Sequence, residues 1–238
     1  MPKTNRKVPA VLGFGGSDPS WGFADANGAM MASKGIEVLG LVYFQAAPIL
    51  PPSLDQIPIE YLQVGLGYLE TIPNIDKEHF GVVSGSHGSE AAFILASYDR
   101  RVRSVVVTTP SLVAWYGMSK ASSAWTIEGR DVPALKMPTI EGGSQLQKFE
   151  FALSNPTELE KARFAFERIN GPILLISAEN DQVWPSTRMS KEIVDYLKQK
   201  NFPFAVTHRS YPTGHGFDRE SAPEIKAHIV AHFIETLR

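Results

Sequence analysis

The chain has 238 residues, a length that suits one α/β domain able to bury a full core without disulfide or metal staples. Hydrophobic residues make up 43% and charged residues 20%, which indicates an ordinary globular chain rather than a disordered or fibrous one. A net charge of −2 gives no footing for nucleic acid or an anionic membrane, and the absence of cysteine excludes a disulfide framework, a cysteine nucleophile and a thiolate metal site.

The opening, Met1 to Lys7, is polar and leads straight into a strand. No stretch is long and apolar enough for a signal peptide or a membrane span, and the composition fits the cytoplasm. Val8 to Phe14 is predicted as the first buried strand, ending at Gly13-Phe14-Gly15-Gly16-Ser17-Asp18. A dinucleotide-binding fingerprint would need glycine where Asp18 stands. The alternative is an oxyanion loop, in which glycines let backbone N–H groups turn toward a developing negative charge. A helix follows over Ala24 to Lys34, with Gly35 as its C-cap. Ile36 to Tyr43 is the second strand. After an irregular loop with Pro48, Pro51 and Pro52, Asp55 and Pro58 open a helix with Leu62, Leu66 and Leu69 on one face.

A third strand, Phe80 to Val83, feeds the turn Ser84-Gly85-Ser86-His87-Gly88-Ser89-Glu90, and a helix over Ser89 to Ser97 leaves it. A serine between tiny neighbours at a strand-to-helix corner marks a nucleophile elbow. Such a corner is strained, so the residues two before and two after the nucleophile must be small. Ser86 meets this with Ser84 and Gly88; Ser84 would need the bulky Val82 as a flank and does not.

Val102 to Thr108 is the fourth strand, and its run of valines suggests burial on both faces, as in a parallel sheet. From Pro110 to about Asn155 the regular patterning breaks down, with aromatics such as Trp115, Tyr116, Trp125, Phe149 and Phe151 scattered among Gly and Pro. That content favours a packed cap or lid, inserted at about residues 111–168, over a disordered surface loop. Pro156 to Arg168 reads as a helix with Phe164 on its apolar side. Gly171 to Ser177 is the fifth strand, followed by Glu179-Asn180-Asp181. Ser186 caps a helix bearing Met189, Ile193 and Leu197. Phe204 to Tyr211 is the sixth strand and runs into Gly214-His215-Gly216. Ser221-Ala222-Pro223-Glu224 has the form of a capping box before the last helix. The alternation of strands and helices predicts a single α/β domain, a mostly parallel sheet with helices on both faces. Its loops at the strands' carboxyl ends carry the site.

A free serine hydroxyl needs a base, and the base needs an acid to orient it. Of the six histidines, His79 precedes a strand and lies at the wrong edge, His208 is inside a strand, and His228 and His232 lie in the last helix. His87 adjoins Ser86, and it is expected to lend its N–H while its side chain points elsewhere. His215 remains as the base. Asp181, further into its loop than the rival Glu179, is the acid. The order Ser86, Asp181, His215 is that of α/β-hydrolases. The oxyanion donors are the N–H of His87 and one from the loop holding Gly16 and Ser17. This chemistry requires no metal and no organic cofactor.

These residues also carry a resemblance. The chain resembles the catalytic domain shared by acyl-CoA thioester hydrolases and bile-acid-CoA:amino-acid N-acyltransferases. The matching stretches are Gly15-Gly16-Ser17-Asp18, Ala32-Ser33-Lys34-Gly35, Ile59-Glu60-Tyr61-Leu62, the elbow with Glu90, and Ala124 to Gly129. Ile169 to Ser177, continuing through Trp184, and Tyr211 to His215 complete them. The resemblance implies the α/β-hydrolase fold and a Ser or Cys nucleophile with Asp and His, roles that fall on Ser86, Asp181 and His215. A serine resembles the hydrolase branch, since the transferase branch typically uses cysteine. The departures are Ser84, His87 and Ser89 where Gly, Lys and Gly are usual, the absence of an early antiparallel strand pair, and a start at the hydrolase domain where many members carry a β-sandwich in front. The expected substrate is a small acyl ester or acyl-CoA, with no nucleic acid or membrane partner. Thioester against oxygen ester, acyl transfer, a non-catalytic binding role and self-association stay open.

Overall fold

The structure is a computed structural model that describes residues 7–21, 23–46 and 48–237. Six strands form one sheet: β1 (Val8–Phe14), β2 (Glu37–Leu41), β3 (Ile75–Gly85), β4 (Val102–Thr108), β5 (Ile173–Ala178) and β6 (Val206–Tyr211). They lie in the order β6-β5-β4-β3-β1-β2, with every neighbouring pair parallel. Side chains alternate across the sheet and both faces are covered, so β1, β4, β5 and the carboxyl-terminal half of β3 are buried almost throughout. Ala10, Leu12 and Phe14 of β1 face a large core together with helices α2 (Ile59–Thr71), α3 (His87–Tyr98) and α6 (Ser186–Gln199). Val11 faces the other way, into a smaller core with α1 (Phe23–Ser33) and α7 (Ala222–Thr236).

β1 sits between β2 and β3, so the chain leaves β1 toward one side and returns on the other. Parallel sheets open a crevice at such a switch point, outside the strands' carboxyl ends. The loop after β1 and the turn after β3 therefore face each other there.

Residues 111–168 lie between β4 and β5. Ala114–Trp115 pairs with Ala134–Leu135, while Trp125–Ile127 and Arg130–Asp131 join Ile57–Pro58 in a second small sheet. Helix α4 (Gln145–Leu153) was not apparent from periodicity, yet Ser144 and Gln147 close a complete capping box at its start. The predicted helix over Pro156 to Arg168 is shorter: α5 (Pro156–Ala162) stops, Val113 bridges Arg163, and a 3₁₀ turn covers Phe166–Arg168. The physical reason is that Phe164 and Phe166 both pack on Phe93, and residues two apart on an α-helix face nearly opposite ways.

Other local expectations also shift. β3 begins at Ile75, so His79 lies within it, in its amino-terminal half. Asp55 does not open α2; its carboxylate takes the N–H and hydroxyl of Ser119. Ser221 forms no capping box, because its backbone is already helical and its own N–H goes to Asp218. Ser186 makes no cap bond to its helix, and its hydroxyl goes to Asp181 instead.

Candidate active site

Ser86 follows β3 and precedes α3 with φ 53° and ψ −134°, a conformation that non-glycine residues rarely hold. The neighbours explain how it is tolerated. A Cβ at Gly88 would stand 2.0 Å from Ser84 Oγ and 2.2 Å from the Gly15 carbonyl, so the second flank must be glycine. The first flank uses its hydroxyl: Ser84 donates to the Phe14 carbonyl at 2.9 Å, with that of Gly15 at 3.1 Å. This bond ties the turn to the loop after β1. Tyr43, buried beneath that loop, sets its hydroxyl against the carbonyls of Gly15 and Gly16. Burial, reinforced by the Glu90 and Asp18 carboxylates, holds the Tyr43 phenol well above its ordinary range, so it stays a donor.

His215, on the loop after β6, sets Nε2 2.9 Å from Ser86 Oγ and Nδ1 2.9 Å from Asp181 Oδ2. Asp181, after β5, is buried. Its Oδ1 takes the N–H groups of Val183 and Trp184, and its Oδ2 takes the Ser186 hydroxyl. With His215 on the remaining direction, both oxygens are engaged by donors, which fixes the carboxylate in place. The rival acid Glu179 is exposed and accepts the Ser210 hydroxyl at 2.6 Å. The other histidines are engaged elsewhere: His79 with Asp76, His208 with Ser177, His228 with Glu224. Burial pushes the His232 imidazole down to about 4. Among the described residues, no group of three His, Cys, Asp or Glu is placed to hold a metal ion.

The loop amides are not equivalent. The Gly16 N–H donates to Asp18 Oδ1 at 3.2 Å, within its own loop. The N–H of His87 is the first in α3, with no intrahelical carbonyl to receive it.

Further residues with no catalytic role in the sequence reading matter here. Trp184 is buried and touches both imidazoles by its ring, His215 at 5.6 Å and His87 at 5.2 Å between centroids. Phe149 and Trp115 extend this contact into the insertion. Glu90 is fully buried and accepts from the Trp115 N–H and Trp125 Nε1. His87, expected to turn its side chain away, instead lines the cavity. That cavity, of about 570 Å³, also contains Ser86 and His215, with Trp115, Phe149, Met137 and Ile225 among its apolar walls. Only the Tyr43 and Glu90 links require the folded chain to be seen. The Trp184 aromatic, three residues past Asp181, was visible in the sequence.

Comparison with known proteins now bears on this arrangement. The family described as BAAT / Acyl-CoA thioester hydrolase C terminal matches residues 57–236. The chain belongs to this family. It is similar to acyl-coenzyme A thioesterase 3 of Mus musculus, 25% identical over 213 residues, which are 87% of this chain and 48% of that protein. It is equally similar to acyl-coenzyme A amino acid N-acyltransferase 2 of Mus musculus, 25% identical over 180 residues, 75% of this chain and 42% of that one. The chain thus spans less than half the length of these relatives. Among solved structures it resembles an esterase from Pyrobaculum calidifontis, with TM-score 0.67 and 18% identity over 98% of this chain and 79% of that one. A puromycin-hydrolyzing peptidase of Mycobacterium tuberculosis matches at TM-score 0.68 and 16% identity over 98% of this chain and 35% of its own. These likenesses identify the fold as that of the α/β-hydrolases. No helix among the described residues is long and apolar enough to cross a membrane.

Proposed function

We propose that this member of the family is a serine hydrolase that cleaves acyl thioesters or carboxylic esters through an acyl-enzyme. The observation carrying this reading is the unbroken Ser86–His215–Asp181 chain of contacts, 2.9 Å at each link, at the rim of an apolar cavity. In the first step Ser86 Oγ attacks the substrate carbonyl carbon while His215 Nε2 takes its proton. Asp181 holds the Nδ1 proton and so keeps Nε2 free to accept. The N–H groups of His87 and Ser17 receive the oxyanion; such a donor typically contributes about 10²–10³ in turnover. Collapse of the tetrahedral intermediate breaks the bond to the thiol or alcohol, which leaves with the proton from His215. Water then attacks the acyl-serine while His215 takes its proton, and collapse of this second intermediate returns that proton to Ser86 Oγ as the acid departs. Residues 111–168 supply Trp115, Met137 and Phe149 to the cavity and serve in this reading as its cap.

Acyl transfer to an amine would use the same acyl-enzyme, and one relative's name is the observation that favours it. A turnover panel of p-nitrophenyl esters and acyl-CoAs of graded chain length, run with and without an added amino acid, separates the outcomes. Hydrolysis predominates under this reading, with no N-acyl amino acid formed. Ser86→Ala abolishes turnover while the fold survives, and unchanged turnover in that variant refutes the assignment.

A further inference from the structure

We propose that His87 is a specificity-determining residue whose imidazole receives a hydroxyl carried by the substrate two or three bonds from the scissile carbonyl. The inference rests on the serine-hydrolase reading and adds the substrate class to it.

The ring is held from both sides. Glu90 is 0% exposed, so the polar groups packed around it fix its position. Oε2 is taken by the Trp115 N–H at 3.0 Å and Trp125 Nε1 at 2.9 Å. Oε1 stands 2.7 Å from His87 Nδ1, in contact with the ring but without the geometry of a hydrogen bond. Trp184 meets the imidazole edge-on. Glu90 is in turn fixed by two tryptophans of the insertion, so the ring inherits a defined direction.

What remains open on that ring faces the cavity. The His87 side chain is 16% exposed, its Nδ1 is buried, and the residue lines the cavity, so its far edge with Nε2 is the part offered to a ligand. Trp115, Phe149 and Met137 supply apolar surface around it. His87 adjoins the nucleophile in the chain, and consecutive Cα atoms are about 3.8 Å apart, so its reach is confined to groups near the scissile carbonyl.

The chemistry selects among such groups. A hydroxyl both donates and accepts, so it satisfies Nε2 whether that atom presents a lone pair or a proton. An alkyl group would strip water from the ring without replacing the bond, a net loss. A carboxylate substituent would have to shed its water against an apolar wall with only one ring nitrogen to replace it, and would be disfavoured. A hydroxylated substrate is therefore the one that meets this wall without penalty.

The hydroxyl can sit on the acyl group or on the departing alcohol, and two matched pairs separate these. One compares p-nitrophenyl butyrate with p-nitrophenyl 3-hydroxybutyrate; the other compares ethyl butyrate with 2-hydroxyethyl butyrate. The wild-type chain is expected to favour the hydroxylated member of at least one pair by about tenfold or more in kcat/KM, mainly through KM. His87→Leu should abolish that preference, and His87→Gln, which keeps a polar head, should restore part of it. Where the leucine variant does not fold, His87→Asn, too short to reach, should show the same loss. Equal rates within both pairs for the wild type overturn the proposal, as does a preference that survives in His87→Leu or His87→Asn. Failure of the wild type to hydrolyse any of the four overturns this proposal, and failure on every acyl-CoA of the graded panel as well overturns the hydrolase reading with it, whereas active but indifferent enzyme overturns this one alone.

Discussion

Asp181→Asn tests the relay at its least exposed point. Every group around the Asp181 carboxylate donates: the Val183 and Trp184 N–H groups to Oδ1, and the Ser186 hydroxyl and His215 Nδ1 to Oδ2. Asparagine has one acceptor oxygen and one amide NH₂. The two backbone N–H groups cannot reverse, so the oxygen of Asn stays with them and the NH₂ falls where Oδ2 was. Ser186 adapts, because a hydroxyl can turn to accept. His215 has no such freedom: Nδ1 must give up its proton to accept from the amide, which leaves the proton on Nε2. An imidazole protonated at Nε2 cannot take the proton of Ser86. The expected fall in kcat is about 10⁴, or roughly 5 kcal/mol of transition-state stabilisation. Exchanging charge-assisted bonds for neutral ones costs about 1–2 kcal/mol in folding, so near-ultraviolet circular dichroism should report a folded chain at 25 °C. Steady-state hydrolysis of a p-nitrophenyl ester measures the first quantity. Glu179→Gln is the control and should change kcat by less than about twofold, since that carboxylate is exposed and bonded to Ser210. A folded Asp181→Asn chain that keeps more than about a tenth of its kcat refutes the reasoning.

The elbow gives two further expectations. Gly88→Ala drives a methyl into the Gly15 carbonyl, which unlike the Ser84 hydroxyl cannot rotate aside, so urea unfolding should show a loss of about 2–3 kcal/mol and hydrolysis should fall more than about a hundredfold. Ser84→Ala removes the donor shared by Phe14 and Gly15 and should cost about 1–2 kcal/mol, with kcat falling further than KM as the loop loosens. His232 governs an acid limb of stability. Burial lowers its folded pKa to about 4, below the unfolded value of about 6.5, so the unfolded chain binds the extra proton first. The contribution is therefore complete above pH 6.5 and is lost as pH falls toward 4, a change of up to about 3 kcal/mol. His232→Gln should flatten that limb in denaturant titrations run between those pH values, while the carboxylate-driven fall at lower pH persists.

Much of this architecture was legible in the residue order. The strand and helix alternation emerged from apolar runs and their spacing, and β1 and β4 have the limits expected of them. Ser86, Asp181 and His215 could be named because each follows a strand and because steric crowding at an elbow leaves a mark on its neighbours. Two of the misreadings share a cause. The start of α2 and the end of α5 depend on partners far along the chain, Ser119 drawing Asp55 and Phe93 drawing Phe164 and Phe166, while the cap of α7 turns on local backbone, Ser221 being already helical with its N–H on Asp218. Helix α4 is another exception, since Ser144 and Gln147 carried a local signal that the scattered aromatics obscured.

Local sterics and hydrophobic period are written into neighbouring residues, so the sequence alone determined the layered α/β plan, the strained serine and the order of the three polar side chains. That Asp181 actually reaches His215 was decided by β5 and β6 lying side by side, why a serine serves at position 84 by β1 lying beside β3, and where the His87 ring points by Trp184 and Glu90. Those pairings join residues 34 apart at Asp181 and His215 and 70 apart at Phe14 and Ser84, and hydrogen bonds obey distance in space rather than distance along the chain.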